Sequence, residues 1–159
     1  MSLRVNYNQE SPEFVKKMTE LAALVRKSEL GATIIDLIDI RASQLNGCAF
    51  CIDMHVKEAR IHGERDLRVH HIIVWRESNL FSERERAALE WTEAVTKLGE
   101  HGISDEVYNR VKQQFSDKDL SDLTFAIGMI NFWNRLSVSF RSVPGSADKF
   151  FGLDKAGMN

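Results

Sequence analysis

Three observations predict an all-α protein. Both prolines, Pro12 and Pro144, lie near the ends. The interval between them holds few long β-branched runs, and apolar residues recur through it at helical spacing. Ser11-Pro12 is a sound helix start, a capping side chain followed by a residue that needs no amide hydrogen bond in the first turn. Phe14, Met18, Leu21, Ala22 and Val25 then form an apolar stripe that ends near 28–31. A second helix is predicted from about 33 to 45, with Ile34, Leu37, Ile38, Ala42 and Leu45 inward, until Asn46-Gly47 favours a turn. A third begins around Cys48 and ends near His62, where Gly63 can take the left-handed conformation.

Asp66 caps a fourth helix carrying Val69, Ile72, Ile73 and Trp75. Ser82-Glu83-Arg84-Glu85 is the clearest start signal in the chain. In this capping box Ser82 accepts from the amide three residues on while Glu85 reaches back. Ala88, Trp91, Thr92, Val95 and Leu98 follow as the buried face of that helix. Ser104 opens a sixth, with Val107, Val111 and Phe115 apolar. The last long segment spans about 118 to 140, and Phe125, Phe132 and Trp133 widen its apolar surface beyond one stripe. Such a helix belongs in the middle of a bundle or at a subunit contact, which favours an oligomer. After Pro144 the chain is rich in Gly, Ser, Asp and Lys and is expected to be a loosely held tail.

With 159 residues, 43% of them hydrophobic, the chain reads as one domain, 1–159, with ample core material. Its net charge of −2, with basic residues dispersed, argues against nucleic-acid binding. No apolar stretch approaches a membrane span, and the N-terminus does not read as a secretory signal, so the expected compartment is the cytoplasm. A permanent structural disulfide would be out of place there.

Cys48 and Cys51 are the only two cysteines, and they stand as C-x-x-C. At a helix start this spacing brings two thiols within bonding distance, and the unpaired amides there stabilise a thiolate. His55, four residues beyond Cys51, lies on the same helical face and can take its proton. Cys48, nearer the turn, would then be the resolving thiol. Asp53 and Glu58 flank the helix without evident placement on the Cys51–His55 face. Three blander readings stand beside this one: a pair of inert buried thiols, a structural zinc site short of a familiar ligand set, and a His55 that is merely a hydrogen-bonded structural residue.

The run Ser43-Gln44-Leu45-Asn46-Gly47-Cys48-Ala49-Phe50-Cys51-Ile52-Asp53-Met54-His55 resembles, nearly residue for residue, the signature of the alkylhydroperoxidase D-like branch of the carboxymuconolactone decarboxylase family. The likeness continues through Trp75-Arg76-Glu77, the segment 81–96, and Asn131-Phe132-Trp133-Asn134-Arg135. It implies an alkylhydroperoxidase D-like helical bundle, assembly as trimers or hexamers, and thiol-dependent reduction of hydrogen peroxide or organic hydroperoxides. By that resemblance Cys51 attacks the peroxide and becomes a sulfenic acid, and Cys48 condenses with it. The disulfide is reopened by a dithiol donor, a lipoyl-bearing or thioredoxin-like protein. No cofactor or metal is expected.

Two positions depart from the pattern. The family's relay glutamate, twelve residues before the first cysteine, is here Asp36, expected to orient His55 or bind a bridging water with one methylene less reach, the blander reading being a mere polar residue on the second helix. Phe50 stands where the peroxidase prototype has a histidine, so it packs or lines the pocket and transfers no proton. Lactone decarboxylation is a poor match, because those relatives lack the cysteine pair. A protein disulfide oxidoreductase, or a redox-responsive oligomer with weak peroxidase activity, is the alternative.

Overall fold

A long helical hairpin forms the centre of the protein, whose computed structural model describes residues 2–158. Its first arm, α3 (Ala32–Asn46), is buried on nearly every side from Ile34 to Ser43. Its second arm is α4 (Ala49–Ile61). Gly47 turns the chain between them at φ 65°, a left-handed conformation that glycine adopts without strain. Around the hairpin stand α6 (Glu83–Thr96) and α8 (Asp117–Phe140), with α7 (Asp105–Lys112) against α6.

The packing explains the expected pattern. Ile34, Ile35 and Ile38 of α3 meet Ala88 and Trp91 of α6 and Leu123 and Ile127 of α8 in one cluster. Leu37 and Ile40, on the opposite side of α3, meet Ala59, Ile72, Trp75 and Leu89 in a second. A helix apolar on two sides thus has a partner on each. Ser82, Ser104 and Ser116 cap α6, α7 and α8 by accepting from amides three residues on, and the capping box at Ser82 and Glu85 forms on both arms.

Between α4 and α6 the chain forms the short α5 (Asp66–His71), then a 3₁₀ segment (Ile72–Glu77) that kinks at Val74. The β-branched run Ile72-Ile73-Val74 disfavours an α-helix there. Arg86 donates to the carbonyls of Trp75, Arg76 and Ser78 and holds the kink. Ile73 points outward, against expectation, as does Leu98. Asp66 is the first helical residue rather than the cap, and it accepts from Arg60.

Two further expectations are corrected. The stripe of α2 (Pro12–Arg26) is not buried within the chain: Phe14 is 76% exposed, and Met18 and Leu21 line an apolar groove of about 410 Å³ with Phe125 and Met129 of α8. Ser11 precedes α2 without a side-chain capping bond. The segment after Pro144 is not loose. It forms α9 (Asp148–Phe151), preceded at Tyr7–Glu10 by α1 in chain order, and a final 3₁₀ turn (Leu153–Ala156) that buries Leu153 and Ala156 beside α4. Asp148 accepts from Lys57 at 2.7 Å, and the Gly145 amide donates to Asp53 at 2.9 Å. Among the described residues no helix is long and apolar enough to cross a membrane.

Candidate redox site

The hairpin turn carries the cysteines, and α8 clamps it. Asn46 donates to the side-chain oxygens of Asn131 (3.0 Å) and Asn134 (2.9 Å), and Asn134 donates to Ser43 Oγ at 3.1 Å. The Cys48 amide reaches back to the Ser43 carbonyl at 3.0 Å. Cys48 thereby becomes the N-cap of α4, its sulfur accepting from the Cys51 amide at 3.3 Å. The side chain that caps the helix is the one bonded to Cys51: the two form a disulfide, with Cα atoms 5.3 Å apart. Both are buried, at 1% and 2% exposure, among Ala42, Ile130 and the half-buried Phe50. Phe50 packs against the pair.

His55 sits one turn beyond Cys51, 4% exposed. Its Nδ1 lies 2.7 Å from Glu58 Oε2 and 3.6 Å from Asp39 Oδ2. Glu58 in turn accepts two hydrogen bonds from Arg26 of α2, each 3.0 Å. Burial raises the Glu58 pKa, but His55 and Arg26 outweigh it and bring the carboxyl down to about 2. Glu58 is therefore an acceptor at any ordinary pH, so Nδ1 carries the proton and donates to it. Nε2 is buried and without a hydrogen-bond partner. Burial works against the imidazolium, yet Asp39 and Glu58 together raise the His55 pKa above its ordinary value. For Asp39 the balance tips the other way: burial dominates and pushes it up to about 6.

Asp36 is placed differently from expectation. Its Oδ2 accepts from His62 Nδ1 at 2.7 Å, and it makes no hydrogen bond to His55. The register of the hairpin accounts for this. Asp39 and His55 each stand eight residues from Gly47, so folding at that glycine brings them level. Asp36 is level with Glu58, another carboxylate, and turns instead to His62 one turn further on. Burial raises the Asp36 pKa against the pull of His62. Asp39 and Glu58 are thus the side chains brought to His55 that sequence reasoning did not place there. The signal was there in two spacings of three, 36 to 39 and 55 to 58, which put each pair on one helical face. Among the described residues no group of three or more His, Cys, Asp or Glu side chains is placed to hold a metal ion.

The fold and the close Cys48–Cys51 pair are those of an all-α, alkylhydroperoxidase D-like helical bundle with a C-x-x-C at a helix start, consistent with a redox-active site. The chain belongs to the carboxymuconolactone decarboxylase family, whose model matches residues 12–94, and within it to the alkylhydroperoxidase D-like branch. An Agrobacterium tumefaciens protein, described as of unknown function and as a candidate antioxidant-defence protein AhpD, is 45% identical, with a TM-score of 0.86 over 90% of this chain and 98% of that one. The uncharacterised protein YdfG of Bacillus subtilis is 40% identical over 87% of this chain and 95% of its own length. The alkylhydroperoxidase AhpD core of a peroxidase-related protein from Ralstonia eutropha, at 20% identity and TM-score 0.77 over 91% of this chain and 76% of that one, shares the fold.

Proposed function

We propose that this protein is a thiol-dependent peroxidase that reduces hydrogen peroxide or small organic hydroperoxides through a Cys48–Cys51 disulfide cycle. The observation that carries the reading is His55 held at Nδ1 by two carboxylates, with Nε2 unpartnered one turn beyond Cys51. In the reduced protein Nε2 takes the Cys51 thiol proton, and the carboxylates stabilise the imidazolium that results. The Cys51 thiolate attacks the terminal peroxide oxygen and the O–O bond breaks. Cys51 becomes a sulfenic acid, and the alkoxide leaves as an alcohol with the proton returned from His55. Cys48 then displaces hydroxide from the Cys51 sulfur; its own proton completes a water molecule, and the disulfide closes. A dithiol donor restores both thiols by exchange.

Burial of both sulfurs supports small substrates and a donor whose dithiol sits on a slender arm, such as a lipoyl group, over direct exchange with a bulky protein disulfide. The exposed Phe14 and the open apolar groove between α2 and α8 support a homo-oligomer, a trimer or hexamer by family likeness. Stopped-flow oxidation of the reduced protein by cumene hydroperoxide and hydrogen peroxide, with intact mass alongside, tests the cycle. Rapid loss of two hydrogen masses is expected. Cys51→Ser should abolish it, and Cys48→Ser should stop at the sulfenic acid. Full turnover by Cys51→Ser would sink the reading.

A further inference from the structure

We propose that the polar cleft at the far end of the α3–α4 hairpin binds a small carboxylate that carries a hydrogen-bond donor beside it, an amino acid or a hydroxy acid, with Asp36 taking the donor and Arg65 the carboxylate. The cleft lies away from the cysteines. Cys51 is in the first turn of α4, and His62, which lines the cleft, is the C-cap of that helix, eleven steps or about 16 Å further along. A volume of about 440 Å³ suits a small molecule.

Asp36 carries the inference. Its side chain is 4% exposed and lines the cleft, yet one of its two carboxylate oxygens is unused. Oδ2 accepts from His62 Nδ1 at 2.7 Å, whereas Oδ1 is buried without a partner. Among the described residues His55 Nε2 is the one other such atom, and the thiol chemistry proposed above gives that nitrogen a task. A buried carboxylate oxygen left without a donor lowers stability, and a donor brought from outside the chain would remove that cost. The neighbouring Arg68 does not supply it. Its guanidinium, which also lines the cleft, is spent on Glu64, Glu85 and the Leu80 carbonyl.

The rest of the wall is rich in unused donors. Arg65 is bonded through its main chain: its amide donates to Glu64 Oε1 at 2.8 Å and its carbonyl accepts from the amides of Arg68 and Val69. Its guanidinium has no partner among the described residues and can grip a carboxylate with two hydrogen bonds. Thr33, in the first turn of α3, stands at the same cleft. That turn opens at Gly31 with no side-chain cap and no acidic residue, so its free amides and positive end favour an anion. One acceptor and several donors define the complement. A plain anion would leave Asp36 Oδ1 unanswered, and a plain amine would leave Arg65 and the α3 amides unanswered. A carboxylate with an ammonium or hydroxyl on the next carbon answers both. A metal ion is a poor occupant, because among the described residues no group of three or more His, Cys, Asp or Glu side chains is placed to hold one.

The test uses the oxidised full-length protein, so no outcome depends on peroxide turnover. The probes are glycine, glycolate and acetate, similar in size and differing in whether an ammonium, a hydroxyl or nothing stands beside the carboxylate. Binding is read from the His62 ring resonances in proton–nitrogen correlation spectra. Glycine or glycolate should shift them saturably, and the tighter of the two tells ammonium from hydroxyl. Acetate should bind about tenfold more weakly for want of the donor. Arg65→Gln removes an exposed guanidinium with no partner to lose, so it should weaken the better probe about tenfold while the Tm of the free protein stays put. Asp36→Asn keeps an oxygen for His62 and puts a donor where Oδ1 was, so it should erase the advantage over acetate. Absence of a saturable shift with both glycine and glycolate overturns the site and leaves Oδ1 merely hydrated. Acetate binding as tightly as the other two overturns it as well, as does undiminished affinity in Arg65→Gln.

Discussion

Replacing Glu58 by glutamine removes one charge from the centre of the buried network while keeping an oxygen where His55 Nδ1 needs an acceptor. The magnitude follows from the carboxyl itself. Its pKa falls from 4.5 to about 2, so the ionised form is favoured by about 3 kcal/mol at 1.36 kcal/mol per unit. That figure is shared between His55 and Arg26 and already includes the cost of burial. The amide keeps part of it through hydrogen bonding, so a loss of about 1–3 kcal/mol is expected. For a chain of this length that corresponds to a fall in Tm of roughly 2–12 °C. A carboxyl depressed in the folded state contributes its stability above the unfolded pKa and loses it as pH falls through the folded value. The gap between wild type and variant should therefore be full above about pH 4.5 and close toward pH 2. Reactivity should change in parallel. With Glu58 neutral, burial weighs more heavily on the imidazolium, and alkylation of Cys51 near neutral pH should slow about tenfold, equivalent to 1.4 kcal/mol of charge pairing. Urea melts across pH, with iodoacetamide kinetics on the reduced protein, measure both effects. Matching melts and matching alkylation profiles would refute the network as drawn.

Asp39→Asn should act in the opposite sense on stability. Its raised folded pKa means that stability declines as pH climbs from the unfolded value to about 6; the asparagine variant should lose that decline in a pH series of denaturant melts, while Cys51 alkylation slows because His55 loses one of the two carboxylates that raise its pKa. Asn134→Ala removes the residue that ties Asn46 to Ser43. Asn46 keeps Asn131 and Ser43 keeps the Asp39 carbonyl, so the cost should be about 1–2 kcal/mol for the two lost hydrogen bonds, and the disulfide should become more susceptible to reduction, read by redox titration against dithiothreitol.

The helices were legible because each local signal agreed with the packing. Ser82 and Ser104 announce two starts, and Gly47 and Gly63 two ends, and all four behave as read. Where the reading failed, distant residues decided. The amphipathic stripe of α2 is only partly covered within the chain: Val25 packs on the core and Met18 lines the groove against α8, while Phe14 stays exposed. The tail has the composition of a loose segment, yet two buried side chains and the ion pair to Lys57 hold it, and none of these contacts is local. The site failed in the same way. Asp36 occupies the expected sequence position, and the register across Gly47, a property of two helices together, assigns it to His62.

That register also shows why the imidazole has two acidic neighbours rather than one. A single buried carboxylate facing His55 would share its proton and leave the basicity of Nε2 dependent on which of the two held it. Here Arg26 fixes Glu58 as the ionised partner, and burial leaves Asp39 to change its charge near neutral pH. Glu58 thereby sets the tautomer and orientation of His55, whereas Asp39 adjusts the cost of charging it. A positive charge on the His55 ring would not stand uncompensated in the core, because its Nδ1 lies 3.6 Å from the Asp39 carboxylate and 2.7 Å from Glu58. The division of labour also explains the position of Arg26. It lies at the end of α2, a helix with no buried residue, and its bond to Glu58 joins that outer helix to the charge state of the redox centre.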